Sequence, residues 1–474
     1  MNSQSNKYMT LASDIVIFII GTVFAKAIQF LLMPLYTTYL TTEEYGVAEL
    51  TNNLSEFFLP IATLCIYEAA FRYAVDPSFD NRKIVATVIK VMSRSTFIGV
   101  FITIVANYLF HYQYAYYLFF ILYSYSIRMC AAYYVRGKGF SKVFAMSGVV
   151  NALSLGLFNV IFLVILRCND KGYLISIGLS YCCSALYLLI KGNAMKDYER
   201  EKSDKNAEII LLQYCIPLIF YNVLYWFTTI SGRYILLWYT DSSITGKYVA
   251  AIKIAAVINM LQQAVYSAFQ LNSSRVYNED NRESFYSGII NSFISLYCVF
   301  GSIMICMTPL LARFTLRNEF YDASIYLPMI LFSAIIYCVS SLLGTMYSTY
   351  KKTKRTVGVS LCGAIINGLF GVLLTPQHGI WGVCLASALC YSGQTVYKYF
   401  DIKMFCKIQY NWKIIIPNSV WLFSQVGIMS TDIKYKNIIS LFISFIMLVN
   451  NWKTILEAAN QIVGKKSNIS FRKG

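Results

Sequence analysis

The chain has 474 residues, 57% of them hydrophobic and 13% charged, with a mean hydropathy of +0.54. Soluble domains carry about 25% charged residues, so a large soluble enzyme is excluded. Its 40 Lys and Arg against 23 Asp and Glu leave +17, which raises either a nucleic-acid partner or the basic cytoplasmic loops of a membrane protein.

The apolar residues fall in repeated stretches of about 20, enough helix to cross about 30 Å of hydrocarbon. In chain order they predict fourteen spans, near 14–34, 47–72, 84–110, 114–135, 143–166, 172–190, 209–231, 246–270, 285–311, 325–349, 356–375, 379–397, 413–429 and 437–452. The stretches lack the alternation of a barrel, and backbone polar groups in lipid need internal partners. The expected fold class is therefore all-α, a polytopic transmembrane helical protein. The N-terminal MNSQSNKYMTLASD has no short apolar core with a cleavage site, so the first span is expected to remain in the mature chain. Thirteen cysteines are scattered through the spans, and only His111 and His378 could supply imidazole. No metal site and no cofactor is expected, and no phosphate-binding GxxxxGK[ST] loop occurs.

With the N-terminus in the cytoplasm, one set of loops and termini carries 27 Lys and Arg and the other only 8. The positive-inside rule then places both termini in the cytoplasm, and the net charge needs no nucleic-acid partner. Five basic residues, Lys26, Lys90, Arg94, Arg128 and Lys253, fall inside spans. A charge at a helix centre costs about 2.5–3.5 kcal/mol and calls for a partner or a wet cavity. Lys90 and Arg94 share a helical face near the cytoplasm, where their stems can snorkel. Lys26 is too deep for that.

Span two places Glu49, Asn52, Asn53 and Glu56 at i, i+3, i+4 and i+7, on one face. The two carboxyls are candidate proton or cation coupling sites and the two amides candidate glycan contacts; a stripe that only solvates a cavity or pairs with lysine is the competing reading. Glu68 and Arg72, four apart, are expected to pair within the helix, and Pro60 and Pro217 to break spans two and seven. Span eight continues with Asn259, Gln262, Gln263, Tyr266 and Gln270, suited to a wet surface. Most of the 39 tyrosines belong to interfacial belts, while Tyr67, Tyr221, Tyr225 and Trp226 are candidates to stack on sugars.

Two alignments suggest an internal repeat. Residues 39–48 (YLTTEEYGVA) correspond to 239–248 (YTDSSITGKY), and Arg136 through Asn151 to Lys352 through Asn367, at offsets of 200 and 216. An even number of spans per copy gives parallel-related lobes facing a central cavity. The expected organisation is a six-helix lobe over 1–190, a charged cytoplasmic linker over 191–208, a second six-helix lobe over 209–400, and two additional helices with a basic tail over 401–474.

Several of these segments carry a family resemblance: Gly21-Thr22 with Lys26, Phe30–Thr37 (FLLMPLYT), Glu44-Tyr45-Gly46, and Tyr67–Arg72 (YEAAFR) before Asp76. Supporting segments are Gly246–Lys253 and Lys352-Thr353-Lys354 leading to Asn367, Pro376, Gly379 and Gly382. In these the chain resembles the Wzx-type polysaccharide flippases of the multidrug, oligosaccharidyl-lipid and polysaccharide exporter superfamily. The resemblance implies a bacterial inner-membrane protein, not an enzyme, that flips an undecaprenyl-diphosphate-linked oligosaccharide such as an O-antigen (lipopolysaccharide) or capsule repeat unit by alternating access. Its expected partners are the lipid-linked substrate, membrane lipids, and a polysaccharide polymerase with its chain-length machinery. Lys26, Arg128 and Lys253 would attract the diphosphate and glycan, with Tyr221 and Tyr225 among the glycan contacts. Two other readings stay open: a cation-coupled multidrug-type antiporter of the same fold, and a membrane-embedded polymerase, which would need a large outer catalytic loop.

Overall fold

Helices form at every apolar stretch that lies within residues 26–76, 79–198, 205–276, 282–350, 352–431 and 433–462, the part of the chain that the computed structural model describes. They are α1 (Met33–Tyr39), α2 (Thr42–Ala62), α3 (Ile66–Ala74), α4 (Asn81–Phe110), α5 (Ala115–Gly137), α6 (Ser141–Asn159), α7 (Asn169–Lys191), α8 (Lys205–Tyr239), α9 (Ser242–Val276), α10 (Arg282–Cys306), α11 (Thr308–Thr315), α12 (Leu327–Thr349), α13 (Thr356–His378), α14 (Ile380–Lys403), α15 (Trp412–Met429) and α16 (Lys436–Ile462). No strand occurs among the described residues. Among the described residues ten helical stretches are long and apolar enough to cross a membrane, and α2 with α3, bent by 61°, make an eleventh when counted as one broken span. Helices α14 and α15 occupy the predicted spans 379–397 and 413–429. The first predicted span lies mostly outside the described residues, although 26–31 are helical.

Local chemistry explains the starts and stops. Thr41 caps α2 with a reciprocal box: the Glu44 amide donates to Thr41 Oγ1 (3.2 Å) and the Thr41 amide to Glu44 Oε2 (2.9 Å). Two hundred residues on, the Ile244 amide donates to Asp241 Oδ1 (2.8 Å) at the start of α9. One helix ends at Tyr39 and the next begins at Thr42; another ends at Tyr239 and its successor begins at Ser242. The two loops aligned from sequence thus share one helix–loop–helix form.

Of the two prolines expected to break spans, one does so. Two residues after Pro60, α2 ends at Ala62, and Leu64 and Cys65 take left-handed φ values of 48° and 55° before α3 begins. Such backbone costs a side chain about 1–2 kcal/mol per residue, and in lipid the freed polar groups need partners. Partners are supplied: Ser95 Oγ donates to the Ala62 carbonyl, and Cys215 Sγ (3.2 Å) and the Glu68 amide (2.9 Å) to that of Cys65. Pro217, by contrast, sits inside an unbroken α8. The expected Glu68–Arg72 pair is also not formed; Glu68 interacts electrostatically with Arg136 on α5 instead. Turning the chain at residues 63–65 redirects the Glu68 face toward α5.

The chain divides into two units, Met1–Ile230 and Ser231–Gly474, with the boundary inside α8. In the first, Ile66, Tyr67, Ala69 and Ala70 behind the break pack with Leu122, Cys130 and Tyr134 of α5 and with Leu211 and Cys215 of α8. In the second, α13 and α14 form a tight hairpin through Gly379, at φ 53°. A Cβ on Gly382 would lie 2.5 Å from the Leu374 carbonyl oxygen, so only glycine permits that approach.

Helices α15 and α16 are tied to α10 by buried polar side chains. Ser302 Oγ donates to Gln425 Oε1 (2.7 Å), Gln425 Nε2 donates to Ser440 Oγ (2.8 Å), and Asn418 and Asn451 exchange amide hydrogen bonds of 3.0 and 2.9 Å. Interhelical hydrogen bonds in membranes contribute about 0.6–1.7 kcal/mol each. Replacing both Asn418 and Asn451 by Ala should therefore cost less than the two single losses added, with a coupling of about 1 kcal/mol in a double-mutant cycle of unfolding in detergent micelles.

Candidate functional site

In the first unit, α2 packs against α5 and α7 and touches α1 through Tyr45, while Asn159 of α6 reaches α1. Glu49 is 0% exposed. Its Oε1 accepts from Tyr173 of α7 at 2.5 Å and from Tyr45, one turn before it, at 3.4 Å. Tyr36 of α1 closes the cage, its ring edge-on to Tyr173 with centroids 4.9 Å apart. Asn159 Nδ2 donates to the Tyr36 hydroxyl (3.1 Å) and to the Leu155 carbonyl (2.8 Å). Immediately after Asn159 the helix widens into a π-helical turn, Val160–Ile165, a local irregularity that often marks functional sites. Four side chains from four helices are therefore organised around one buried carboxyl, and each hydrogen bond to it, if charged, contributes about 1.5–3 kcal/mol.

Seven residues along α2, about 10 Å by helical rise, Glu56 is exposed. The hydroxyls of Tyr125 and Tyr181, whose rings stack at 4.8 Å, feel the charges of both Glu56 and Arg128. Arg128 is half-buried on α5. Its Nε donates to Ser184 Oγ (3.0 Å), Ser184 Oγ in turn donates to the Ser147 carbonyl (2.9 Å), and the guanidinium carbon lies 5.7 Å from the centre of the Tyr181 ring. The fork is thus oriented through Nε and one aromatic face. Its terminal amino groups have no hydrogen-bond partner among the described residues.

Five of the sequence candidates, Glu49, Asn52, Asn53, Glu56 and Arg128, are thus brought onto one polar column in the first unit. Asn52 is half-buried, and the Asn53 carbonyl accepts from Trp226 Nε1 at 3.1 Å. Lys26 is half-buried, without an ion-pair partner among the described residues. Tyr221 and Tyr225 stack one turn apart on α8, centroids 6.5 Å apart, with Tyr225 exposed. Lys253 is half-buried on α9 in the second unit. Two aromatic candidates are core residues instead: Tyr67 is 4% exposed and Trp226 9%, so neither ring is open to a sugar. Lys90 and Arg94 do not snorkel alone, because both pair with Glu208 of α8, at 2.8 and 2.5 Å. Nor is the polar stripe of α9 a wet surface at Gln262, which is buried and donates to Ser341 Oγ at 2.6 Å.

One cation assigned by sequence to a cytoplasmic loop proves to be inside the helical bundle of the second unit. Lys398 of α14 is 8% exposed, and its Nζ donates to the Ser340 carbonyl (2.7 Å) and hydroxyl (2.9 Å) of α12. No carboxylate lies within ion-pair distance among the described residues. The apolar run ends at Val396-Tyr397, so hydropathy alone puts Lys398 outside, although α14 continues to Lys403. Tyr36, Tyr173 and Asn159 also escape a reading of the sequence alone. A signal for the α7 face does exist, in Ser176, Ser180 and Ser184 at spacings of four in line with the tyrosines of span six.

Among the described residues no group of three or more His, Cys, Asp or Glu could hold a metal ion. A MatE family model matches residues 217–373. No curated protein matches the chain. Solved structures do match. One is a lipid II flippase MurJ in an inward closed conformation, with TM-score 0.64 and 12% identity over 94% of this chain and 99% of that one. A second is an inward-facing multidrug resistance MATE family transporter of the MOP superfamily, with TM-score 0.55 and 12% identity over 86% and 95%. A third is the MATE multidrug transporter DinF-BH, with TM-score 0.59 and 16% identity over 83% and 95%. All three are named as flippases or transporters, none as an enzyme. The chain therefore has the all-helical fold shared by MATE multidrug transporters and the lipid II flippase MurJ, with its MatE match confined to residues 217–373.

Proposed function

We propose that this protein is a flippase that moves undecaprenyl-diphosphate-linked oligosaccharide repeat units across the bacterial inner membrane by alternating access, for an O-antigen or capsule, with both termini cytoplasmic. The observation that carries the reading is the polar column of the first unit, where an oriented guanidinium, an exposed carboxylate and a caged carboxyl lie within apolar spans. Ionisable groups at that depth are expensive and mark substrate or ion pathways. The shared fold with a protein named as a lipid II flippase agrees with it.

In this reading Arg128 and Lys26 bind the diphosphate oxygens, Asn52, Asn53, Tyr221 and Tyr225 contact the glycan, and Lys253 is a further substrate-binding residue. A guanidinium presents a planar fork that matches phosphate oxygens in pairs, and the bond from Nε to Ser184 holds that fork in place. Glu49 serves as the coupling carboxyl. Fully buried, it costs least when its charge is balanced, so a proton or cation is exchanged as the cage opens. Glu56, exposed and acting with Arg128 on the Tyr125–Tyr181 pair, would balance the guanidinium until an anionic substrate replaces it.

Deleting the gene and measuring lipid-linked repeat units tests this directly. Accumulation on the cytoplasmic side, reversed by the wild-type chain but not by Lys26→Ala or Arg128→Ala at equal abundance, is the expected result. Normal surface polysaccharide in the deletion strain would refute it. Exchange of small organic cations by the purified protein would favour the multidrug antiporter, which the MatE match over 217–373 keeps as the second reading.

A further inference from the structure

The outer part of α4 is packed far less than the rest of the first unit. All its buried residues lie between Ile84 and Met92, and beyond them Phe97, Phe101, Tyr108 and Phe110 are 66–80% exposed. Helix α4 therefore buries side chains only in its first three turns, and beyond them touches α5 at separate points, through Ser95 and Gly99 against Tyr123 and through Asn107 against Tyr116. Between its remaining length, α5 and the break after α2 lies a cavity of about 570 Å³, within the roughly 300–1,000 Å³ of ligand clefts. It runs from Val91 to Ala106 along α4, about 22 Å by helical rise, within a hydrocarbon core about 30 Å thick.

Its wall is apolar in effect, because the hydroxyls on it are already engaged. Ser95 donates to the Ala62 carbonyl, Tyr123 to the Ser95 carbonyl (2.6 Å), Thr103 to the Gly99 carbonyl (2.8 Å), and Tyr112 shares a hydrogen bond with Thr51 (2.9 Å). The mouth is different. There Arg94 and Glu208 line the cavity and Lys90 stands one turn away. Both cations pair with the single Glu208 carboxylate, which leaves the cluster one positive charge in excess, and the Arg94 side chain is 59% exposed. Only one of its terminal amino groups is engaged by Glu208, so other donors of the fork remain available to a ligand.

From this we infer that the cavity is a binding site for one anionic phospholipid, its acyl chain lying between α4 and α5 and its phosphate on Arg94 at the mouth. The acyl chain would rest on Ala62, the last residue of α2, and on Leu64 within the break, so the lipid fills the space into which the bent span would otherwise collapse. The site uses none of the charged residues of the polar column, so it stands whether or not the transported substrate is the one proposed above.

Native mass spectrometry of the full chain in a neutral detergent, titrated with phosphatidylglycerol or phosphatidylcholine, tests the inference. One phosphatidylglycerol should bind at least tenfold more tightly than phosphatidylcholine. Arg94→Gln should remove that selectivity, and Ala106→Trp, which fills the groove without touching the mouth, should reduce binding of both lipids by tenfold or more. Equal affinity for the two headgroups in the wild-type chain would overturn the assignment of the mouth. Undiminished binding of phosphatidylglycerol to a monodisperse Ala106→Trp protein would overturn the groove, whether or not the Arg94 variant folds.

Discussion

Glu49→Gln should abolish gradient-driven transport in proteoliposomes while leaving the protein folded and able to bind substrate. The amide is nearly isosteric with the carboxyl and its carbonyl oxygen can still accept from Tyr173 and Tyr45, which lie 2.5 and 3.4 Å from Glu49 Oε1. What it cannot do is exchange a proton or hold a cation. Glu49→Ala should behave differently, because it also strands two buried hydroxyls, each at about 1–3 kcal/mol, and should unfold at a lower temperature. Tyr173→Phe keeps the ring contacts with Tyr36 and Tyr45 but deletes the shorter hydrogen bond. Losing a charged hydrogen bond of about 1.5–3 kcal/mol corresponds to roughly 10–100-fold, so a slowing of at least tenfold is expected. Transport by Glu49→Gln that still responds fully to an imposed pH or cation gradient would remove Glu49 from the coupling role and leave Glu56 as the carboxyl to examine.

Lys398→Met should separate stability from transport in the second unit. The ammonium is buried with only the Ser340 carbonyl and hydroxyl as hydrogen-bond partners among the described residues, and burying a charge costs several kcal/mol that two neutral oxygens offset in part. Methionine fills nearly the same volume without that cost. The Ser340 carbonyl remains inside α12, so it keeps a helical partner. Exchanging a buried charge for a well-packed apolar side chain is often neutral or stabilising by about 1–4 kcal/mol. The expected outcome is a melting temperature equal to or above wild type together with loss of transport. A melting temperature that falls while transport persists would make Lys398 a structural tie between α12 and α14. Lys398→Arg is a useful companion, since it keeps the charge but must fit a larger head beside Gly344, where a Cβ would lie only 3.5 Å from the lysine Nζ.

Much of the fold is legible in the amino-acid sequence. Apolar runs of about 20 residues can satisfy their backbone in lipid only as helices, and where residues are described a helix stands at each predicted position. The polar face of α2 is legible too, because Glu49, Asn52, Asn53 and Glu56 follow the helical period and need no tertiary information to share a face. The loops at 40–41 and 240–241 are readable for a similar reason: Thr41 and Asp241 are local caps, set by residues three positions away.

Sequence and structure part where the outcome depends on a distant partner. Pro60 and Pro217 look alike in sequence, but only after Pro60 do Ser95 and Cys215 stand ready to donate to the freed backbone carbonyls. Hydropathy places Lys398 with the cytoplasmic charges because a lysine after an apolar run normally marks a helix end; α12 instead supplies Ser340 to receive it. Lys90 and Arg94 read as snorkelling residues because Glu208, more than a hundred positions away, is invisible to a helical wheel.

The sequence by itself determined that this chain is a bundle of membrane helices with a charged stripe on its second span, since hydrophobic period and backbone hydrogen bonding are local properties. Only the tertiary structure decided which of those charges is caged and which is open. Glu49 and Glu56 are chemically identical and lie on the same face, yet one is enclosed by Tyr36, Tyr45 and Tyr173 and the other is exposed near the Tyr125–Tyr181 pair. That difference is made by α1, α5 and α7, whose positions follow from packing between segments far apart in the chain.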